Sequence, residues 1–106
     1  MIKLKGDIIQ RLTQDFDDLA DSANEILQEA IAKTEYLKTD RIIRCIIFLS
    51  KGDLEKLEHN IAIAISDPRD VMLYAEYENL DDKDFKYKRV RDFNKTFEKC
   101  TENVKE

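Results

Sequence analysis

The spacing of hydrophobic residues near the N-terminus predicts a long first helix. Apolar side chains recur there at alternating steps of three and four residues, at Ile9, Leu12, Phe16, Leu19, Ala23, Ile26 and Ala30. This spacing places all seven on one narrow face of an α-helix. Asp7, with Gln10 three residues later, matches a capping box and predicts a start near Ile8. We expect a helix over residues 8–37, and the pattern leaves open whether it continues into the next one.

A second hydrophobic segment has a different pattern. Residues 41–49 are apolar on most faces, which is typical of a buried helix. Thr39 and Asp40 provide cap residues immediately before it, so we predict a central, deeply buried helix over residues 40–51. The same residues could form a buried strand, because periodicity does not separate the two for short apolar segments. Such a strand would have no partner in this chain.

Turn and cap residues divide the following segment into two helices. Gly52 suits the end of the second helix and Asp53 suits the cap of the next, which predicts a third helix over residues 54–66. The dipeptide Asp67–Pro68 marks a further boundary, because proline is favoured at the first helical position. It predicts a fourth helix over residues 68–79.

A second three- and four-residue spacing occurs near the C-terminus, at Val90, Phe93, Phe97, Cys100 and Val104. Asp81 and Asp84 place acids where a helix begins, so we predict a last helix over residues 82–104. The fold class is therefore all-α, with one domain over residues 1–106. We expect a compact bundle of about five antiparallel helices with long first and last helices. Only two glycines and one proline occur, which disfavours sheets built from hairpins.

Charge is distributed unevenly along the chain. Residues 7–33 contain seven acids and two bases, whereas residues 83–99 contain seven bases and three acids. We predict that the first and last helices are neighbours, oriented by these opposite charges, with Lys86, Arg89 and Lys95 on the basic side. A helix of 30 residues would be about 45 Å long and could extend beyond the domain. One hydrophobic face could then meet a second copy, so a homodimer is an alternative to a monomer.

The overall charge and the cysteines narrow the class of protein. A net charge of −5 disfavours nucleic acid, because affinity for its phosphates depends on Lys and Arg. No segment has the length and hydrophobicity of a signal peptide or membrane span, so we expect a complete, small cytoplasmic protein. Cys45 and Cys100 lack the spacing of a zinc site and are interpreted as buried free thiols.

Few residues suggest catalysis. His59 is the only histidine, and Glu55 lies one helical turn before it. Together with carboxylates from another helix they could form the metal site of a helical-bundle enzyme, which is one alternative. A surface histidine beside acids is the more ordinary interpretation, and no phosphate-binding loop or nucleophile with a neighbouring base is evident. We therefore predict no catalytic residue, no metal and no cofactor.

The most suggestive surface residues lie in the fourth helix. Helical spacing predicts one face with Val71, Tyr74, Ala75 and Glu78, and places Met72, Glu76 and Tyr77 off it. Tyrosine and arginine are enriched where proteins bind one another, so we predict a partner-binding surface formed by Arg69, Tyr74, Tyr77 and Glu78. These residues favour a non-enzymatic protein-interaction or regulatory module. A homo-oligomeric assembly protein is the second alternative.

Overall fold

The computed structural model describes residues 2–78, 80, 83 and 87–104 and is mostly helical. Its helices, in chain order, are α1 (Gly6–Phe16), α2 (Ala20–Lys33), α3 (Asp40–Ser50), α4 (Leu54–Ser66) and α5 (Pro68–Glu76). Two short strands, β1 (Tyr77–Glu78) and β2 (Lys88–Arg89), pair as an antiparallel sheet with Tyr77 opposite Arg89. The predicted helical character is confirmed. None of the described helices has the length and hydrophobicity to span a bilayer.

The predicted first helix over residues 8–37 is wrong, because the chain turns back on itself after Phe16. Asp17 has a φ of 48°, a short 3-10 turn follows over Asp17–Leu19, and a second one occupies Glu35–Leu37. The backbone of Ile2 hydrogen-bonds in both directions with the Gln28 side chain, at 3.1 and 3.0 Å. α1 and α2 are therefore an antiparallel hairpin.

The hairpin has a physical reason in the residues that it buries. The buried side chains follow a four-residue spacing in each helix, at Ile8, Leu12 and Phe16 in α1 and at Ala23, Leu27 and Ile31 in α2. Folding back lets both rows enter one core, whereas a single long helix would leave one row in water. Two members of the predicted row, Ile9 and Leu19, are instead 48% and 46% exposed.

α3 is the central helix, as predicted. Seven of its eleven residues are buried, and it packs against α4 and α5. Cys45 lies in this helix and Cys100 in the C-terminal segment, by which we mean residues 87–104. Both are free and buried, which confirms the interpretation of the two thiols. Burial raises the pKa of the Cys45 thiol far above its ordinary value, so it is a poor nucleophile.

The cap that begins α4 is the one that the sequence predicts, and α5 begins at the predicted boundary. The Asp53 side chain accepts hydrogen bonds from the amides of Glu55 and Lys56, and Asp67 accepts one from the amide of Arg69. Asp7 is not a cap, because α1 begins at Gly6 and the Asp7 carboxylate accepts a hydrogen bond from Arg44 of α3. The local signal was overridden by a tertiary ion pair.

Gly52, in the turn between α3 and α4, is held in a conformation that other residues rarely adopt. Its φ is 77°, and a β-carbon there would lie 2.1 Å from the backbone oxygen of Asp15 in α1. Gly52→Ala is expected to lower the free energy of unfolding by about 2–4 kcal/mol, through backbone strain and steric overlap. Urea denaturation followed by circular dichroism measures the change.

The matched control for this prediction is the same substitution at Gly6. A β-carbon there meets nothing within 4 Å, and the residue lies at the start of α1. Gly6→Ala is expected to leave stability unchanged or to raise it by up to about 1 kcal/mol. Equal losses for both alanines would contradict the account of Gly52.

The predicted last helix is wrong over the described residues 87–104, which form β2 followed by turns. Residue 82 and residues 84–86 lie outside the described part, as does the predicted start at Asp81 and Asp84. The Asp92 amide donates to the carbonyl of Cys100 at 2.7 Å, which closes residues 92–100 into a compact loop. Phe93, Phe97 and Cys100 enter the core from this loop, so their spacing reflects burial without a helix.

The prediction that opposite charges pair the first helix with the last is wrong. The C-terminal segment does reach α1, since the Phe97 amide donates to Asp7 at 3.2 Å. However, Arg89 pairs with Glu76 and Asp92 rather than with the acids of residues 15–29. Lys95 donates to the carbonyl of Glu102, and Lys86 lies outside the described residues.

Candidate functional site

α5 holds two of the predicted partner-binding residues, and its orientation is fixed. Val71 and Ala75 are fully buried, so this side of the helix packs into the core. At the N-terminal end the Asp67 carboxylate caps the helix and pairs with the Arg69 guanidinium at 3.0 Å. The Arg69 side chain is nevertheless 83% exposed. The buried side and the cap thus hold α5 in place, and its opposite side faces solvent.

The outer side of α5 combines apolar and charged residues. Tyr74 is 51% exposed, Leu73 is half-buried, and Arg69 and Asp70 are exposed. Helical spacing places Arg69 beside Leu73 and Asp70 beside Tyr74. We call these four residues the α5 face. Helical spacing predicts Tyr74 on one face with Val71 and Ala75, but Tyr74 is half exposed whereas those two residues are fully buried.

Tyr77 and Glu78 do not belong to this helix, because α5 ends at Glu76 rather than at residue 79. Both form β1. Tyr77 is half-buried opposite Arg89, and Glu78 pairs with Arg91 at 3.0 Å. The structure thus separates the four predicted residues: Arg69 and Tyr74 lie on the α5 face, while Tyr77 and Glu78 hold the C-terminal segment.

The sequence prediction missed a fully buried carboxylate at the end of α5. Glu76 is fully buried and accepts hydrogen bonds from Arg41, from Arg89 at 3.2 Å and from the Phe93 amide at 2.8 Å. We call these four residues the Glu76 cluster. The hydrogen bond to Glu76 is the largest of the effects that raise the pKa of Arg41. The cluster joins α3 and α5 to the C-terminal segment.

A second ion pair fixes the other side of the same segment. The Arg44 side chain is 6% exposed and donates to both carboxylate oxygens of Asp7, at 2.9 and 3.0 Å. Arg44 also donates to the Phe93 carbonyl at 3.1 Å. Burial alone would raise the pKa of Asp7, but hydrogen bonds from Arg44 and from the Phe97 amide outweigh it, and the pKa is lower than usual.

One signal in the sequence could have indicated the Glu76 cluster. Glu76 follows Ala75 directly and lies at the edge of the buried row of α5. A carboxylate that is buried at such an edge almost always has a positively charged or hydrogen-bonding partner. Arginines at positions 41, 89 and 91 are candidates for that partner. Which arginines reach Glu76 depends on the tertiary fold, which spacing does not give.

The carboxylates of Asp7 and Glu76 both bind backbone groups of the C-terminal segment. Asp7 and Glu76 each accept hydrogen bonds from an arginine side chain and from a backbone amide. His59 and Glu55 are both exposed on α4. Within the part of the chain that is described, no group of three or more His, Cys, Asp or Glu side chains could hold a metal ion.

Comparisons with known proteins supply no further guide to the site. No family model matches the chain, and no curated protein or solved structure shows significant similarity to it. The α5 face and the surfaces beside it therefore have to be interpreted from their own geometry and chemistry.

Proposed function

We propose that the protein is a non-enzymatic helical module that binds another protein through the α5 face. The observation that carries this proposal is the half-exposed Tyr74, on a helix whose opposite side is buried. Tyrosine and arginine are the residues most enriched among those that dominate binding energy, and Arg69 lies on the same face. Leu73 adds apolar area between them.

The rigidity of α5 supports the same proposal. The Asp67 cap fixes one end of the helix, and the Glu76 cluster fixes the other. A surface that is already ordered loses little conformational entropy on binding, so more of the contact energy is retained as affinity. Arg69 is also held in place by Asp67 before any partner arrives.

Photo-crosslinking in the native cell tests this proposal. A benzophenone amino acid is placed at Tyr74 or, as the control, at Tyr36, which is 48% exposed and lies in the turn before α3. We expect a crosslinked product of one defined mass from position 74 and none of that mass from position 36. With the purified partner, Tyr74→Ala is expected to weaken binding at least about tenfold.

The crosslinking result also separates the alternatives. A product with the mass of two copies of the chain would support the homo-oligomeric assembly protein instead. Equal products from positions 74 and 36, or no product from either, would contradict a partner-binding role of the α5 face.

A further inference from the structure

A second surface, separate from the α5 face, lies between α1 and α2. It is a groove of about 280 Å³ whose apolar lining is formed by Ile2, Leu4, Ile9, Leu12 and Ala20. Leu4 and Leu12 belong to the buried core, whereas 48% of Ile9 remains exposed. The floor of the groove is thus continuous with the core, and almost half of a large aliphatic side chain stays in water.

The charges around this groove are separated along its length. The nine residues 17–25 contain four acids and no base, and all four acids are exposed: Asp17, Asp18, Asp21 and Glu25. Asp21 lines the groove beside Ala20, and Lys3 lines it beside Ile2 at the other end. Asp21 lies in the first turn of α2, where the positive end of the helix dipole attracts acidic side chains. Glu25 lies beyond the first turn of α2 and gains little from that effect.

The groove is long enough to contact about two turns of a helix. Its lining follows α2 from Ala20 to Gln28, a distance of about 12 Å along the helix axis, or just over two helical turns. An amphipathic helix binds such a groove with aliphatic side chains spaced one turn apart. Thr13 and Asn24 supply hydrogen-bonding groups at the edges of the groove.

We infer that this groove binds a basic amphipathic helix of another protein. Aliphatic side chains of that helix contact Ile9 and Leu12, and its Lys or Arg side chains lie over the acids of residues 17–25. Charge complementarity argues against a second copy of this chain, because each copy carries a net charge of −5 and would bring the same acids to the interface.

A synthetic helical peptide of leucine and lysine, about 14 residues long with leucines one turn apart, is the probe. It is titrated into the isotope-labelled full chain and followed by NMR, and the same peptide with glutamate in place of lysine is the charge control. We expect the basic peptide alone to shift the amide signals of residues 9–13 and 20–25. Raising the salt concentration from about 0.05 to 0.3 M should weaken its binding.

Matched variants test both parts of the groove. Ile9→Ser is expected to weaken binding of the basic peptide about fivefold or more, whereas Ile65→Ser, at a residue that is 43% exposed on α4, leaves it unchanged. Neutralising the acids in Asp18→Asn, Asp21→Asn, Glu25→Gln is expected to have a similar effect. The control triple variant changes three exposed acids elsewhere, in Glu55→Gln, Glu58→Gln, Glu98→Gln.

Circular dichroism establishes that each variant is folded, and the comparison of the two peptides on the unmodified chain needs no variant. Absence of binding by the basic peptide would overturn the inference, as would equal binding of the acidic peptide. Equal losses from the control variants would also overturn it. A dimer that forms at high concentration and is weakened by Ile9→Ser would show that a second copy occupies the groove instead.

Discussion

Glu76→Ala is expected to lower the free energy of unfolding by about 3–5 kcal/mol, because it removes one partner from a buried ion cluster. Arg41, Arg89 and the Phe93 amide all donate to this carboxylate, which is fully buried. Without it, the partly buried Arg41 and Arg89 lose a charged partner, and the Phe93 amide loses its acceptor inside the core. Urea denaturation monitored by circular dichroism gives the change.

Two further variants make the Glu76 prediction specific. Glu102→Ala removes an exposed carboxylate and is expected to change stability by no more than about 0.5 kcal/mol. Glu76→Gln keeps the shape and one acceptor oxygen but loses the charge, so we expect a loss of about 1–3 kcal/mol, smaller than that of Glu76→Ala. A Glu76→Ala protein as stable as the Glu102→Ala control would contradict the structural role of the cluster.

Phe93→Ala is expected to have an effect of similar size, about 3–5 kcal/mol, because it leaves a large cavity in the core. Phe93 is fully buried, and its ring contacts those of Phe48 and Phe97 at centroid distances of 5.3 and 5.6 Å. Its backbone amide and carbonyl are the groups held by Glu76 and Arg44. The cavity therefore opens where the C-terminal segment is attached.

Chemical denaturation measures this loss, and Tyr74→Ala provides the aromatic control. Tyr74 is 51% exposed, so its removal is expected to cost no more than about 0.5 kcal/mol. Phe93→Leu fills part of the cavity and should lose less than Phe93→Ala. Similar stabilities for Phe93→Ala and Tyr74→Ala would show that the loop of residues 92–100 is not part of the cooperative core.

The features of the fold that the sequence predicts well are those with local causes. α4 occupies Leu54–Ser66 as predicted, because Asp53 caps it directly and an apolar face follows. α5 begins at Pro68, since the Asp67 side chain accepts a hydrogen bond from the Arg69 amide in the first turn. Both signals act within a few residues and require no knowledge of the rest of the chain.

The features that the sequence predicts badly depend on the whole fold. The three- and four-residue spacing across Phe16 and Leu19 is compatible with one long helix, but only a hairpin buries Ile8 and Leu27 in the same core. The spacing of Phe93, Phe97 and Cys100 is produced by a loop that enters the core. Hydrophobic periodicity records which residues are buried, and several backbone conformations can bury them.

The candidate site shows the same division. Arg69 and Tyr74 could be selected as surface residues from their type and from the position of α5. Helical spacing nevertheless groups Tyr74 with Val71 and Ala75 and places Glu76 off that face. In the structure Glu76 is fully buried, as Val71 and Ala75 are, and Tyr74 is half exposed. The arginines that accompany Glu76 come from α3 and β2, so its burial becomes understandable only when these elements are placed together.

The two carboxylates that hold the C-terminal segment, Asp7 and Glu76, bind residues that are synthesised after all five helices. The hydrogen bond between Asp7 and Phe97 joins positions that are 90 residues apart. While residues 93–97 are still being synthesised, Arg44 and Glu76 lack groups that later bind them, and the core lacks Phe93. Contacts of such long range form slowly, so we expect the helices to form first and the domain to close only after residues 93–97 have been synthesised.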